Sequence, residues 1–251
     1  MTPYYTDDLV TLWLGDCREV IPALGLKADC IVADPPYGET SLPWDKWPAG
    51  WLGIAATVAS SMWCFGSMRM FLDRSRDGEF NGWKLGQDVI WEKQGGSGFA
   101  PDRFNRVHES AVHWYQGCWS ELHREVPRVG TRTPVREGRR SASAEAWHGD
   151  RGACPDVRDG MTLTRSVIKV RNLNGRALHP TEKPLGILDP LIAYACPPGG
   201  LVLDPFAGSG STLDAARATG RRAIGIEADE QYAEKAARRL SQGVLVEAVT
   251  A

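Results

Sequence analysis

Apolar residues in this chain gather in short runs rich in β-branched and aromatic side chains, with several stretches of helical character between them. Val10–Leu14, Cys30–Ala33, 61–65, 89–92 and 110–114 read as strands. Residues 51–60 follow Pro48-Ala49-Gly50, are rich in alanine, and predict the crossover helix of a βαβ unit. Further on, 184–195 predicts a helix, 201–203 a strand, 211–219 a helix and 222–226 a strand. A closing helix is expected over 230–240, with Arg238 and Arg239 in its last turn, where cations offset the macrodipole. Strands joined through helices favour an α/β fold with a mostly parallel sheet.

Between 116 and 178 this periodicity fails. Gly, Pro, Ser and Arg dominate, and only 162–170 offers a strand-like run, so the stretch reads as an insertion or a mobile lobe. The length of 251 residues suits one large domain carrying such an insert. The net charge of -2 conceals an asymmetry: 116–178 holds 12 Lys and Arg against 7 Asp and Glu, whereas the remainder holds 17 against 24. A basic middle suits a polyanion, but a solvated loop has the same composition, so the charge gains weight only beside the motifs. The six cysteines show no CxxC pair and no matching histidine spacing, which argues against zinc and against a disulfide framework. The amino terminus lacks a signal pattern and no apolar run approaches membrane-spanning length. A soluble, cytoplasmic protein with reduced thiols is expected, without a metal.

Two stretches carry chemistry, each at the carboxyl end of an apolar run, where open α/β sheets hold ligands. In Asp34-Pro35-Pro36-Tyr37 the prolines remove backbone donors and fix φ. The Asp34 carboxylate and the Pro35 carbonyl are left as a rigid set of acceptors, which suits an NH₂ group. Preorganised acceptors would stabilise charge developing on that nitrogen, and Tyr37 offers a face on which a base could stack. A type I turn after a buried strand would use the same residues. The second stretch, Asp204-Pro205-Phe206-Ala207-Gly208-Ser209-Gly210-Ser211-Thr212, joins a strand to a helix through glycines, so backbone N–H groups can approach a polar ligand. Glu227 ends the next strand, where a carboxylate can take both hydroxyls of a ribose. A helix cap for Asp204 and a solvated strand end for Glu227 are the structural alternatives.

On these residues the chain resembles the amino-methyltransferases of DNA, which use S-adenosylmethionine and act on adenine N6 or cytosine N4. Asp34 to Tyr37 matches the family's catalytic tetrapeptide, and Asp204 to Gly210 its cofactor loop. Their order, catalytic motif first, is that of the β class. Leu14-Gly15-Asp16 looks like the motif whose acid contacts the cofactor's adenine, and His179-Pro180-Thr181-Glu182-Lys183-Pro184 resembles the segment beside its methionine moiety. Ile90-Trp91-Glu92-Lys93 and His108-Glu109 resemble later motifs of the catalytic region, with no proton-transfer role for His108.

The resemblance implies a class I S-adenosylmethionine-dependent methyltransferase fold, Rossmann-like, with an inserted recognition region. Its catalytic part would be 1–115, its target-recognition insert 116–178 and its cofactor part 179–251. The catalytic residues would be Asp34, Pro35, Pro36 and Tyr37. Cofactor contacts would come from Asp16, Thr181, Lys183, Asp204, Phe206, Ala207, Gly208, Gly210, Ser211, Thr212 and Glu227.

Double-stranded DNA is the implied partner, with a homodimer and a cognate restriction endonuclease as further partners the resemblance admits and no membrane. In the insert, Arg139 and Arg140 are expected at phosphates, and Trp119 and Trp147 as wedges or stacking platforms. Trp44 and Trp47 belong either to a loop closing over an extruded base or to packing. Adenine is favoured because the tetrapeptide opens with Asp rather than Ser, a tendency within the family. Cytosine N4, an RNA or protein amine, and a non-catalytic binding protein are the alternatives.

Overall fold

The computed structural model describes residues 1–95, 101–102, 104–130, 161–171 and 182–242. The strands are β1 (Tyr5–Thr6), β2 (Val10–Leu14), β3 (Cys30–Ala33), β4 (Ser61–Gly66), β5 (Lys84–Glu92), β6 (His108–Tyr115), β7 (Arg128–Gly130), β8 (Met161–Leu163), β9 (Val167–Lys169), β10 (Leu201–Asp204) and β11 (Arg222–Glu227). The helices are α1 (Cys17–Leu24), α2 (Trp51–Val58), α3 (Met68–Arg76), α4 (Leu185–Ala195), α5 (Ser211–Ala218) and α6 (Glu230–Ser241). Nine strands form one sheet in the order β1-β2-β11-β10-β3-β4-β6-β5-β9. From β2 through β11, β10 and β3 to β4 every pairing is parallel, whereas β6 runs antiparallel to both β4 and β5.

Alternation along the central strands sends side chains into two cores, because successive residues of a strand face opposite sides. Cys30 and Val32 join Ile187, Leu188 and Leu191 of α4, Leu213 of α5 and Ala236 of α6. Ile31 and Ala33 join Val20 and Ile21 of α1, Trp51 and Leu52 of α2 and Phe71 of α3. The sheet is thus covered on both faces, which explains why β3 reads as a continuous apolar run rather than an alternating one. Each fully buried Ile or Leu stabilises the fold by about 1.5–3 kcal/mol through removal of apolar area from water.

Two helices escaped the sequence pattern. α1 is short and contains Pro22, but Asp16 caps its first turn by accepting from Arg18 N at 2.8 Å, and Gly25 closes it in the left-handed region at φ 58°. α3 is capped by Ser67, whose hydroxyl accepts from Met70 N at 3.0 Å. The run 162–170, expected as one strand, divides. β8 pairs antiparallel with β7 in a small separate sheet, while β9 pairs parallel with β5. Polar Thr164, Arg165 and Ser166 lie between, and Thr164 N bonds to Pro127 O at 2.9 Å. β5 begins five residues before the apolar run 89–92, through exposed Lys84 and Leu85 and a register shift before Gln87.

The chain divides into two compact units, one formed by Met1–Glu125 and Ser166–Ala251, the other by Val126–Arg165. The second is narrower than the stretch 116–178, because both flanks join the first unit. Gln116 N bonds to Ser60 O, Glu125 N bonds to Tyr194 O, and β9 lies in the large sheet. Among the described residues no helix is long and apolar enough to cross a membrane.

Candidate active site

The strands β2, β11, β10 and β3 are neighbours and run parallel, so their carboxyl ends open on one side of the sheet. From β10 the chain passes through α5 to β11 on one side, and from β3 through α2 to β4 on the other. The boundary between β10 and β3 is therefore the switch point at which such sheets form a crevice. A cavity of about 560 Å³ lies there, within the size range of small-ligand sites. It is lined by residues from all four strand ends: Asp16 after β2, Glu227 on β11, Asp204 on β10 and Asp34 after β3.

At the β10 end, Asp204 is only 3% exposed. Its Oδ1 accepts the Phe206 N–H at 2.9 Å. Burial pushes its carboxyl up to about 7, against the opposing hydrogen bonds from the Thr212 hydroxyl and the Phe206 N–H. Ala207, Gly208, Ser211 and Thr212 line the cavity beside it, as does Phe206, whose ring meets Trp51 edge-on at 5.0 Å. Glu227 Oε2 accepts Gly208 N–H at 2.7 Å and Oε1 accepts Asp229 N–H at 2.8 Å, so the acid at the end of β11 fixes the glycine loop after β10. Burial raises the Glu227 carboxyl above its ordinary value. Gly210 is not among the lining residues. It caps α5 at φ 77°, and a Cβ there would stand 3.2 Å from Ala236 Cβ, so this glycine serves the turn and the packing of α6.

At the β3 end all four residues Asp34, Pro35, Pro36 and Tyr37 line the cavity. The Tyr37 hydroxyl donates to Asp34 Oδ1 at 2.9 Å, and Lys183 Nζ donates to Asp34 Oδ2 at 2.5 Å. Lys183 is 5% exposed and also lies 3.6 Å from Glu109 Oε2. Glu109 in turn takes Lys93 at 3.2 Å. Burial raises the Asp34 carboxyl above its ordinary value; the Lys183 charge opposes this and the Glu109 charge adds to it. Burial alone would raise Glu109 too, but Lys183 and Lys93 more than offset it and hold that carboxyl below its ordinary value.

Lys183, expected beside a cofactor, lines the cavity, and its ammonium contacts Asp34 of the tetrapeptide. Thr181, expected with it, lies outside the described residues, as do Arg139, Arg140 and Trp147. Asp16 lines the cavity while capping α1 and pairing with Arg18 at 2.6 Å.

The chain after the tetrapeptide is tied down by Asp45, which is 6% exposed. Its carboxylate accepts the N–H groups of Gly38 at 2.7 Å, Glu39 at 3.0 Å and Thr40 at 2.7 Å. Trp44 lines the cavity, whereas Trp47 is a packing residue, against Trp51 at 6.1 Å and beneath the Arg74 guanidinium at 5.1 Å. Trp119 packs too, edge-on to Tyr115 at 4.9 Å. Asp45, Glu109 and Tyr232 are site residues that sequence reasoning assigned no role. Glu109 stood within a recognised pair, His108-Glu109, but only its pairing opposite Trp91 on β5 aims it at the cavity.

A doubly covered sheet of this order, with acids at the ends of four adjacent parallel strands around one crevice, defines the class I methyltransferase architecture. The chain belongs to the N6 and N4 DNA methylase family, whose model matches residues 28–238. It is 27% identical over 270 aligned positions to the type II methyltransferase M.HinfI of Haemophilus influenzae, covering 94% of this chain and 69% of that protein. YubD of Escherichia coli strain K12 is 54% identical over 68 residues, a match spanning 27% of this chain and 30% of that protein's length. The crystal structure of the M1.HpyAVI–SAM complex has the same fold, with a TM-score of 0.65 and 23% identity over 92% of this chain and 99% of that one.

S-adenosylmethionine is the cofactor of this family. The described residues fit it by their chemistry. Three acids, Asp16, Asp204 and Glu227, face a cavity of the right size, and carboxylates accept from the hydroxyl and amino groups that such a nucleoside presents. Glu227 keeps lone pairs for a ribose diol after its contacts with the Gly208, Ala228 and Asp229 N–H groups. Gly208, without a Cβ, leaves backbone exposed to the same space.

Proposed function

We propose that this chain methylates an exocyclic amine of a base turned out of duplex DNA, with adenine N6 as the target. The observation that carries the reading is the single cavity shared by two acid sets: Asp34 with the Pro35 carbonyl at one end, Asp204 with Glu227 at the other. S-adenosylmethionine, when bound, supplies an electrophilic methyl on a sulfonium that leaves as a neutral thioether.

The chain's own part is to hold the nucleophile. Asp34 and the Pro35 carbonyl accept the two N–H bonds of the amine. This draws its lone pair out of conjugation with the ring and favours the geometry in which the nitrogen forms the new N–C bond. As that bond forms, positive charge grows on nitrogen beside an ionised Asp34, and the methylated nitrogen then gives up its surplus N–H proton to water. Tyr37 presents its ring to the base while its hydroxyl holds Asp34 Oδ1. The basic stretch 116–178 is proposed as the element that selects the DNA site, its arginines at phosphates and guanine edges.

The test is mass spectrometry of nucleosides digested from plasmid DNA after incubation with the protein and methyl-labelled S-adenosylmethionine. Label in N6-methyladenine is expected, and Asp34→Ala is expected to abolish it while leaving cofactor affinity within about tenfold, since Asp34 acts chiefly in the transition state. Label in N4-methylcytosine would keep the reaction and move the target. Label in RNA or protein alone would overturn the DNA reading.

A further inference from the structure

Lys183 sits in an unusual position for a residue of a cofactor segment. It is 149 residues from Asp34 in sequence, 5% exposed, and its ammonium contacts Asp34 Oδ2 at 2.5 Å with Glu109 Oε2 at 3.6 Å. The Phe65 ring lies 5.1 Å away. A buried ammonium is costly unless paired, and here two carboxylates share it.

Its approach is fixed through its neighbour in sequence, which also lines the cavity. Glu182, the preceding residue, takes Arg239 of α6 at 2.5 Å, and Arg239 also holds Asp214 of α5 at 2.5 Å. Asp214 is bonded to Arg217 at 2.7 Å, and Arg217 to Asp7 at 3.0 Å. A ladder of ion pairs along α5 and α6 thus anchors the segment that delivers Lys183.

We propose that Lys183 is a positioning residue for methyl transfer: with Tyr37 it grips the two oxygens of Asp34, keeps that carboxylate ionised in its buried place, and is itself moderated by Glu109. This inference rests on the proposed reaction for its consequence, and on the geometry and charges of the cluster for its cause. A protonated Asp34 would lose part of its capacity to accept N–H bonds. The ammonium is therefore required next to an acceptor whose surroundings otherwise favour the neutral acid. Glu109 sets how much of the Lys183 charge Asp34 receives, and Lys93 at 3.2 Å bears on Glu109 in turn.

The other groups that face this cluster are the Tyr37 hydroxyl on the same loop, the Cys64 thiol of β4, Asp204 at the end of β10, and Arg106, whose charge acts on Glu109. Among these, Lys183 and Glu109 act on Asp34 with opposite sign. Removing Lys183 raises the Asp34 pKa, so the acid limb of activity moves to higher pH. Removing Glu109 lowers it, so the limb moves to lower pH.

The experiment uses two readouts on the full chain and its Lys183→Gln, Lys183→Arg and Glu109→Gln variants. The first is infrared titration of the Asp34 carboxyl, identified by the band lost in Asp34→Asn. The second is the pH profile of kcat for duplex methylation, with S-adenosylmethionine affinity measured by calorimetry. For Lys183→Gln the Asp34 midpoint and the acid limb are expected to rise by about one unit or more, and kcat below the shifted midpoint to fall by up to about tenfold for each unit of that rise. Cofactor affinity should stay within about threefold, a margin far below the tenfold that a lost charged contact brings. Lys183→Arg should restore most of the midpoint, and Glu109→Gln should shift it downward.

A Lys183→Gln variant that weakens the cofactor while leaving the Asp34 midpoint in place would overturn the proposal and return Lys183 to the cofactor site. If Lys183→Gln fails to fold, the sign of the Glu109→Gln shift decides: an unchanged or raised midpoint sinks the idea. If the wild type methylates no DNA, the proposed function falls, while the infrared midpoints still decide what Lys183 does.

Discussion

Glu227 shows how one side chain can fix a loop and still line the cavity beside it. Both of its oxygens already hold backbone N–H groups, of Gly208 and Asp229, at 2.7 and 2.8 Å. Each carboxylate oxygen accepts more than one bond, so those contacts orient the acid without exhausting it. Replacing Glu227 by alanine removes a charged acceptor for the ribose hydroxyls and frees the glycine loop. Hydrogen bonds to charged groups contribute about 1.5–3 kcal/mol, so S-adenosylmethionine affinity measured by calorimetry is expected to fall by roughly 10- to 100-fold. Glu227→Gln, which keeps one carbonyl acceptor, should lose less. An Ala variant with native affinity would remove Glu227 from the ribose site. The strand-end acids were legible because a charged residue closing an apolar run is conspicuous in one dimension. The role of Lys183 was not, since no local pattern reports a partner 149 residues away.

At the scale of elements, what the sequence made visible were the runs with a clear period. Cys30–Ala33 is buried on both faces and shows as unbroken apolar residues, and β10 and β11 show as shorter apolar runs closed by Asp204 and Glu227. What stayed hidden depended on caps and on context: α1 with Pro22 inside it, α3 held by Ser67, and the first half of β5, whose exposed polar residues pair with β6 regardless of propensity. At Gly86 on β5 a Cβ would stand 2.7 Å from His113 Nδ1, a tertiary reason for a glycine that reads as a strand breaker in sequence. The loop after the tetrapeptide is a further case. Residues 38–46 have no regular structure to satisfy their backbone, and Asp45 supplies acceptors for three consecutive N–H groups. Burial would raise this carboxyl, but the Gly38 N–H and the Thr40 and Glu39 contacts hold it below its ordinary value. Asp45→Ala is expected to speed amide hydrogen exchange at Gly38, Glu39 and Thr40 by at least about tenfold, in keeping with the loss of one or more kcal/mol of local protection. Protection left unchanged at these amides would show that another group holds the loop.

For the whole molecule, the site's electrostatics bear on stability, because burial raises the acids at three of the strand ends, Asp34, Asp204 and Glu227, and the charges of Asp34 and Glu227 add to the rise at Asp204. Asp204 is the clearest case: its carboxyl stands at about 7 in the fold against an ordinary 3.8. Between those values the folded state holds a proton that the unfolded chain releases. This group's contribution to stability is therefore complete below about pH 4 and is lost as pH rises to about 7, by up to about 4 kcal/mol. Asp34 and Glu227, also raised, carry the same sign. Asp7, Asp45 and Glu109, all lowered, carry the opposite one and lose their contribution as pH falls. The fold should thus be most stable on the acid side of neutrality, between the two sets. Asp204→Asn isolates one contribution, since an amide can still accept the Phe206 N–H but never ionises. Relative to wild type, the variant's melting temperature should climb as pH goes from 5 to 8, by several degrees in a chain of this size, while its affinity for S-adenosylmethionine falls. A melting difference that is flat over that interval would mean that Asp204 is ionised at no cost in the fold. If the variant gains stability at pH 8 and loses cofactor affinity together, Asp204 is an acid kept at the end of a buried strand for binding at a cost in stability.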